Sequence, residues 1–306
     1  MRLPLAILAL AAVLSGAANN KLERASVRVP VWTEEGKPLP AGIEAKVEGA
    51  AAPVKRVRGP GDELIVLIVL DVVGDIALVD PAREALIESI TALPPNVWVG
   101  LLRAQDGLRV LLDPTGDRKV VSDAIRGLPI SGRPGLLETV DQAARLADLV
   151  ARKSAVRLAL LYVTDSNIYG YREDYTNPVV NSSDSRDLSR RFPEGLVREK
   201  ISRLEDSLVT LEVPLFIAHL NWQRDRLNEA YQTGLLQLAQ VTGGTALFCR
   251  TLAEVPEAVR RTMDRITQHS TLELQLPDKP LKSLQVVIEA GDLPLSYRTR
   301  FVLKEK

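Results

Sequence analysis

Glu63-Leu64-Ile65-Val66-Leu67-Ile68-Val69-Leu70-Asp71-Val72-Val73-Gly74-Asp75 is the stretch on which the reading of this chain turns. Residues Leu64 to Leu70 are all leucine, isoleucine or valine, opened by Gly59-Pro60-Gly61 and closed by an aspartate. A continuous apolar run of that length predicts a strand buried on both faces. Burial on both faces predicts a parallel sheet with helices on either side. In such sheets ligands sit outside the carboxyl ends of the strands, where Asp71 and Asp75 stand.

The segments that follow supply the rest of that sheet. Asn96–Leu102 and Val156–Thr164 read as further apolar strands, and the second also ends in an aspartate, Asp165. Val213–His219 and Thr245–Phe248 read as two more, the last a short edge strand. Leu108–Leu112 follows Asp106-Gly107, a hairpin-turn dipeptide. Between the strands, helical patterns cover Asp80–Ile90, Asp117–Arg126, Leu136–Arg152, Pro193–Leu211, Arg226–Val241 and Ala253–Gln268. Asp80 with Pro81 reads as the N-cap and first residue of the first of these. The fold class is α/β: a doubly wound, mostly parallel sheet over residues 61–270.

Both flanks alternate polar and apolar residues instead. Ala25–Trp32, Ile43–Glu48 and Ala52–Val57 precede the α/β region, and Thr271–Leu276, Ser283–Ile288 and Ser296–Val302 follow it. Neither set contains a helix or can bury its apolar face alone. Residues 24–58 and 271–304 are therefore expected to fold together as one small β-sandwich, with the α/β domain inserted between its halves.

Composition bounds the function. The 306 residues carry 39 basic and 39 acidic side chains. That balance argues against nucleic acid or an anionic membrane as the main partner. Met1 to Ala18 has one early arginine, an apolar run and then Ser15-Gly16-Ala17, the pattern of a secretory signal peptide. The expectation is an exported protein, periplasmic or secreted, with no membrane span after cleavage and no lipid, since Ala17 stands where a lipid-bearing cysteine would be. Cys249 is the single cysteine, so no internal disulfide can form. It reads as a small buried residue, His219 as a packed strand-end residue, and His269 as a helix-terminal one favoured by the dipole.

Four pieces, in order, resemble a von Willebrand factor A domain of the bacterial exported group. They are the Glu34-Glu-Gly-Lys-Pro38 turn, the apolar strand ending in Asp71, Leu160-Leu-Tyr-Val-Thr-Asp165, and Leu238-Ala-Gln-Val-Thr-Gly-Gly-Thr-Ala-Leu-Phe248. The resemblance implies a metal-ion-dependent adhesion site: Asp-x-Ser-x-Ser after the first strand, a threonine in a later loop and an aspartate after the fourth strand. Oxygen ligands of that kind suit a hard divalent ion that keeps open positions for a partner's carboxylate. Here Asp71 and Asp165 match. Val73 and Asp75 stand for the two serines, and Gly135 for the threonine, so two oxygen donors are missing. One reading keeps Asp71, Asp75 and Asp165 as a three-carboxylate magnesium or calcium site. The other treats the site as lost, with Asp71 hydrogen-bonded to loop amides and no cofactor expected.

Other chemistries fit less well. A phosphatase of the haloacid dehalogenase type would need a carboxylate where Val73 stands. A dinucleotide site would need more glycine than Gly74 after the first strand. No Walker loop, His-Glu-x-x-His or Gly-x-Ser-x-Gly is present. A metal-dependent hydrolase would need a base or nucleophile that the sequence does not offer. Ser166–Arg191, polar and rich in tyrosine and serine, leaves the same rim as Asp71, with residue types that make adaptable contact surfaces. The expected function is thus a non-enzymatic module that binds a protein partner at this rim. Its contact residues are expected to be Asp165, Ser166, Asn167, Tyr169, Tyr171, Tyr175 and Gly135.

Overall fold

The computed structural model describes residues 26–34, 37–40, 42–176, 193–277 and 282–303. The signal-peptide reading, the centre of the Glu34–Pro38 turn and residues 177–191 of the tyrosine and serine stretch lie outside the described residues. The described residues begin with β1 (Ser26–Thr33), β2 (Glu44–Val47), β3 (Ala50–Ala51) and β4 (Val54–Arg58). The α/β region runs β5 (Leu64–Asp71), α1 (Ile76–Thr91), β6 (Val97–Arg103), β7 (Arg109–Thr115), α2 (Arg118–Arg126), α3 (Leu136–Ser154) and β8 (Arg157–Thr164). It continues α4 (Pro193–Leu208), β9 (Leu215–His219), α5 (Arg226–Val241), β10 (Ala246–Phe248) and α6 (Val255–Gln268). Four more strands end the chain: β11 (Ser270–Gln275), β12 (Ser283–Glu289), β13 (Leu295–Tyr297) and β14 (Arg300–Val302).

Every residue of β5 and of β8 is buried. The central sheet has the order β10-β9-β8-β5-β6-β7. All its pairs are parallel except β6 with β7, which turns back through the hairpin. Counted along the α/β region this is the doubly wound order 3-2-1-4-5-6, with the edge strand reversed. Alternation along β5 splits its side chains between two cores. Ile65, Leu67 and Val69 pack under α3, α4 and α5. Leu64, Val66, Ile68 and Leu70 pack under α1, α2 and α6. Each such side chain contributes about 1.5–3 kcal/mol by leaving water, so β5 alone is a large part of what fixes the sheet.

The flanking strands interleave. One four-stranded sheet has the order β13-β1-β11-β4, in which strands from before and after the α/β region alternate, and the other has the order β14-β12-β2-β3, in which two strands from after it pair with two from before it. Their inner faces share one core, which includes Val27, Val29, Val47, Leu272, Leu274, Val286 and Phe301.

Three local expectations are corrected. The first helix starts at Ile76, with Asp75 as its N-cap, and Pro81 lies inside it. The earlier start buries Val79 completely, and the missing Pro81 N–H deprives only the carbonyl of the exposed Ala77. The expected third strand, Ala52–Val57, is β4 (Val54–Arg58), and an additional two-residue β3 (Ala50–Ala51) precedes it. The expected last strand is broken into β13 and β14 around the buried Arg298. Asp106-Gly107 lies in the hairpin connection as expected, but the connection runs from Arg103 to Arg109 and its turn is closed by the Gly107 N–H donating to the Ala104 carbonyl at 3.0 Å, with Asp106 and Gly107 at positive φ, 55° and 109°.

Candidate functional site

The carboxyl edge of the central sheet brings together the loop after β5, the β6–β7 hairpin, the loop before α3 and the loop after β8. Asp71 ends β5 with no exposed surface. Its carboxylate accepts from the Gly135 N–H at 2.8 Å, the Leu136 N–H at 3.2 Å and the Thr164 hydroxyl at 3.1 Å. It therefore serves as the anion at the N-terminus of α3, which has no side-chain cap of its own. Burial pushes its pKa up to about 7 against the pull of those three donors, and the charge of Asp165 adds to the rise.

Asp165 plays the same part for the other helix. Its Oδ1 accepts from the Val73 N–H at 2.8 Å, and its Oδ2 from the Gly74 and Asp75 N–H groups at 2.8 and 3.2 Å. Successive N–H groups converging on one carboxylate form an anion-binding nest, here filled by the chain itself. Burial raises the pKa of Asp165. Asp75 is exposed and caps α1, its Oδ1 accepting from the Ala77 N–H at 2.8 Å.

The three carboxylates thus do not converge, and no group of three or more His, Cys, Asp or Glu side chains placed to hold a metal ion exists among the described residues. A divalent ion next to Asp71 or Asp165 would face N–H hydrogens. Val73 offers no side-chain oxygen, and Gly135 leaves no room for one: a Cβ there would stand 1.9 Å from the Ala104 carbonyl oxygen. As arranged, the donor set does not fit an octahedral oxygen-ligated ion.

The tyrosine loop is built differently from the expectation. Tyr171 and Tyr175 are buried, at 7% and 2% exposure, and only Tyr169, at 56%, stands out. Tyr171 and Tyr231 share a hydrogen bond of 2.7 Å between hydroxyls, Tyr231 meets Ser166 at 2.9 Å, and Ser166 meets Thr164 at 2.6 Å. The hydroxyl chain therefore runs from Asp71 to the loop, and the two inner tyrosines are anchors, not contact residues. Asp165, Ser166 and Gly135 are buried as well, and Asn167 is half-buried and bonds the Tyr169 N–H. Tyr169 donates to Asp225, the cap of α5, at 2.8 Å. Arg172 pairs with Asp106 at 3.0 Å, tying the loop to the hairpin.

Sequence reasoning missed Thr164, Tyr231 and Gln105, whose amide donates to the Val72 carbonyl at 2.7 Å. Each is a polar residue inside an apolar element or beside one, and that is the only signal they give. His219 is buried, held by the Ser166 carbonyl at 2.9 Å, with its pKa lowered to about 4 by burial. His269 is likewise buried and lowered to about 4, so it carries no charge at neutral pH and the helix-dipole expectation for it is corrected. Burial pushes the Cys249 thiol up to about 11, which removes it as a nucleophile.

No family model matches the chain, and no curated protein matches its sequence. Among solved structures it is similar to a von Willebrand factor type A protein from Catenulispora acidiphila, at 11% identity and a TM-score of 0.48, covering 95% of this chain and 76% of that one. It is also similar to the von Willebrand factor domain of the type V pili tip protein Mfa5 from Porphyromonas gingivalis (13% identity, TM-score 0.44, 67% of this chain and 95% of that one). A third is the conserved hypothetical protein BatB from Bacteroides thetaiotaomicron (12% identity, TM-score 0.41, 67% and 99%). At these identities no residue role passes from them to this chain. The strand order, the reversed edge strand and the two aspartates at the switch point are this chain's own, and by them residues 61–270 have a von Willebrand factor A-like fold.

Proposed function

We propose that this is an exported, non-enzymatic module that binds a protein partner at the carboxyl rim of the central sheet, and that it does so without a divalent ion. The observation that carries this reading is the way the rim is held. Asp71 and Asp165 spend their oxygens on the N-termini of α3 and α1, so the loops are fixed from within. Large apolar side chains are left outside, with Ile76 61% and Tyr169 56% exposed. A rigid rim with an exposed tyrosine and isoleucine is suited to contact, since preorganised loops lose little entropy on binding. The absence of an enzymatic role is supported by the chemistry of the neighbours. The His219 imidazole and the Cys249 thiol are buried and neutral, and the buried carboxylates Asp71 and Asp165 are occupied by main-chain donors. No helix among the described residues is long and apolar enough to cross a membrane.

The test is capture of envelope proteins on the immobilised chain, with Ile76→Asp and Tyr169→Ala compared with the unmodified protein. Both sites are exposed, so thermal unfolding should change by no more than the loss of the one Tyr169–Asp225 hydrogen bond, while capture should fall by about tenfold or more, as for central contact residues. Capture should be the same in chelator and in millimolar magnesium or calcium. Retention of binding by both variants would move the contact away from this rim, and a requirement for the ion would overturn the metal-free part.

A further inference from the structure

Among the described residues three arginines are buried: Arg58, Arg157 and Arg298, at 7%, 1% and 6% exposure. Two of them are saturated by main-chain carbonyls. Arg157 donates to those of Pro60, Asp62, Thr267 and His269. Arg298 donates to those of Val209, Leu211 and Arg300. A buried charge with five N–H donors needs such partners. Arg58 is the exception. No described residue accepts a hydrogen bond from its guanidinium, and its Nη1 is shut off from solvent. Glu273 comes nearest, with a carboxylate oxygen 3.9 Å from that nitrogen, beyond hydrogen-bond reach.

Two further arginines share its surroundings. β4 is an edge strand paired with β11, in which Arg58 stands opposite Thr271 and Arg56 opposite Glu273. The bulge of this pairing lies beyond them, so the register holds for both. Arg28 of β1 stands opposite Glu273 from the other side. Alternation puts Arg28, Arg56 and Arg58 on one face of the sheet. Leu272 and Leu274 take the other face, in the core between the flanking sheets. Arg56 is exposed and has no hydrogen bond or ion pair among the described residues. Arg28 is half-buried and gives its Nη1 to the Ala151 carbonyl. Burial lowers the pKa of Arg58, and the charges of Arg56 and Arg28 add to the fall against those of Glu273 and Asp62. Both acids have other work. Glu273 accepts from the Ser26 hydroxyl at 3.1 Å, and Asp62 from the Gly59 N–H at 2.8 Å.

We propose that Arg28, Arg56 and Arg58 bind a phosphate group. Positive charge is in excess on this face, and one guanidinium is held out of water with its donors unused. A carboxylate offers two oxygens, which a single guanidinium fork can take. Three guanidiniums on one face match a group with three or more acceptor oxygens. The formal net charge of zero fits a single anionic group better than an extended polyanion. Gly59 to Asp62 joins β4 to the start of β5, so the site lies at the end of the central sheet opposite the rim and is separate from it.

Thermal unfolding and isothermal titration calorimetry of the full chain at neutral pH test this. The probes are sodium phosphate, sodium acetate, and sodium chloride at matched ionic strength. The melting temperature should rise to a plateau with phosphate and stay level with the other two. Arg56→Ala and Arg58→Met should each weaken phosphate binding about tenfold or more, as the loss of a charge-assisted contact does. Arg56 is exposed, so R56A carries the result if R58M fails to fold. A rise that is linear in phosphate and equal in parent and variants is the general effect of an excluded salt, and would overturn the inference. So would no response to phosphate, or a response shared by acetate. A plateau with phenyl phosphate as well supports a site open to phosphate esters, and one with inorganic phosphate alone supports a site for the free ion.

Discussion

Asp71 shows how much one residue's meaning depends on its surroundings. From the sequence it is a strand-end carboxylate, equally suited to an ion or to loop amides. In the fold it is fully buried and accepts from two main-chain N–H groups and one hydroxyl. Burial still outweighs those donors, and its pKa rises from 3.8 to about 7. A folded-state pKa above the unfolded one means that the native chain holds a proton that the unfolded chain has released. The stability this lends is complete below about pH 3.8 and is lost as pH rises through about 7. Asp71→Asn removes the titration. Urea unfolding of both chains between pH 4.5 and 7.5 should show the variant gaining on the parent as pH rises, by up to about 1.4 kcal/mol per pH unit. A difference independent of pH would mean that Asp71 is ionised throughout. The tyrosines teach the complementary lesson. Tyr169, Tyr171 and Tyr175 are alike as residue types, yet Tyr171 is held in a buried hydroxyl chain, Tyr175 is buried against the Tyr171 ring with its hydroxyl on Glu173, and only Tyr169 faces solvent. Side-chain type cannot report that difference, because it is set by which way the loop folds over α5.

At the scale of elements, helix α3 is informative at both ends. Gly135 precedes it because a side chain there would strike the Ala104 carbonyl, and Asp71 supplies the cap that glycine cannot. At the other end Ala155 takes a left-handed conformation with φ of 54°. That conformation suits glycine and costs an L-residue with a Cβ. Ala155 is exposed, so its methyl group contributes no packing. Ala155→Gly should therefore raise stability by about 0.5–1 kcal/mol, read from the denaturation midpoint at unchanged slope. A lower midpoint would contradict the left-handed end. Element types were largely legible because the periods are clean: β5 and β8 are continuous apolar runs, and α5 lies where its caps and pattern place it. The start of α1 was misread because Asp80-Pro81 is a sound local signal. It loses to Asp75 because only the longer helix buries Val79 under the sheet.

At the scale of the whole molecule, the inserted domain is held to the flanking sheets by a residue that the sequence does not advertise. The buried guanidinium of Arg157 donates to the carbonyls of Pro60 and Asp62 at 2.9 and 2.7 Å, where the chain enters the α/β region. It also donates to the carbonyls of Thr267 and His269 at 3.2 and 2.7 Å, where the chain leaves it. Trp32 of β1 adds its ring to the core under α1 and α6 and donates to the Arg265 carbonyl at 2.7 Å. Arg157→Ala would leave four carbonyls without that partner. The expected cost is about 2–4 kcal/mol, with unfolding in two transitions where the unmodified chain is expected to show one. A loss below about 1 kcal/mol with one transition kept would show that Trp32 and the sheets suffice. The apolar runs, the alternating flanks and the turn dipeptides determined the fold class, because each is a local pattern that only one kind of buried environment satisfies. What became of the rim was decided only by tertiary structure. Whether Asp71, Asp75 and Asp165 meet one another or each meets a helix N-terminus depends on loop main-chain N–H groups brought from residues 73–77 and 135–136. Every residue but proline carries such a group, so the side-chain sequence holds no record of where it points.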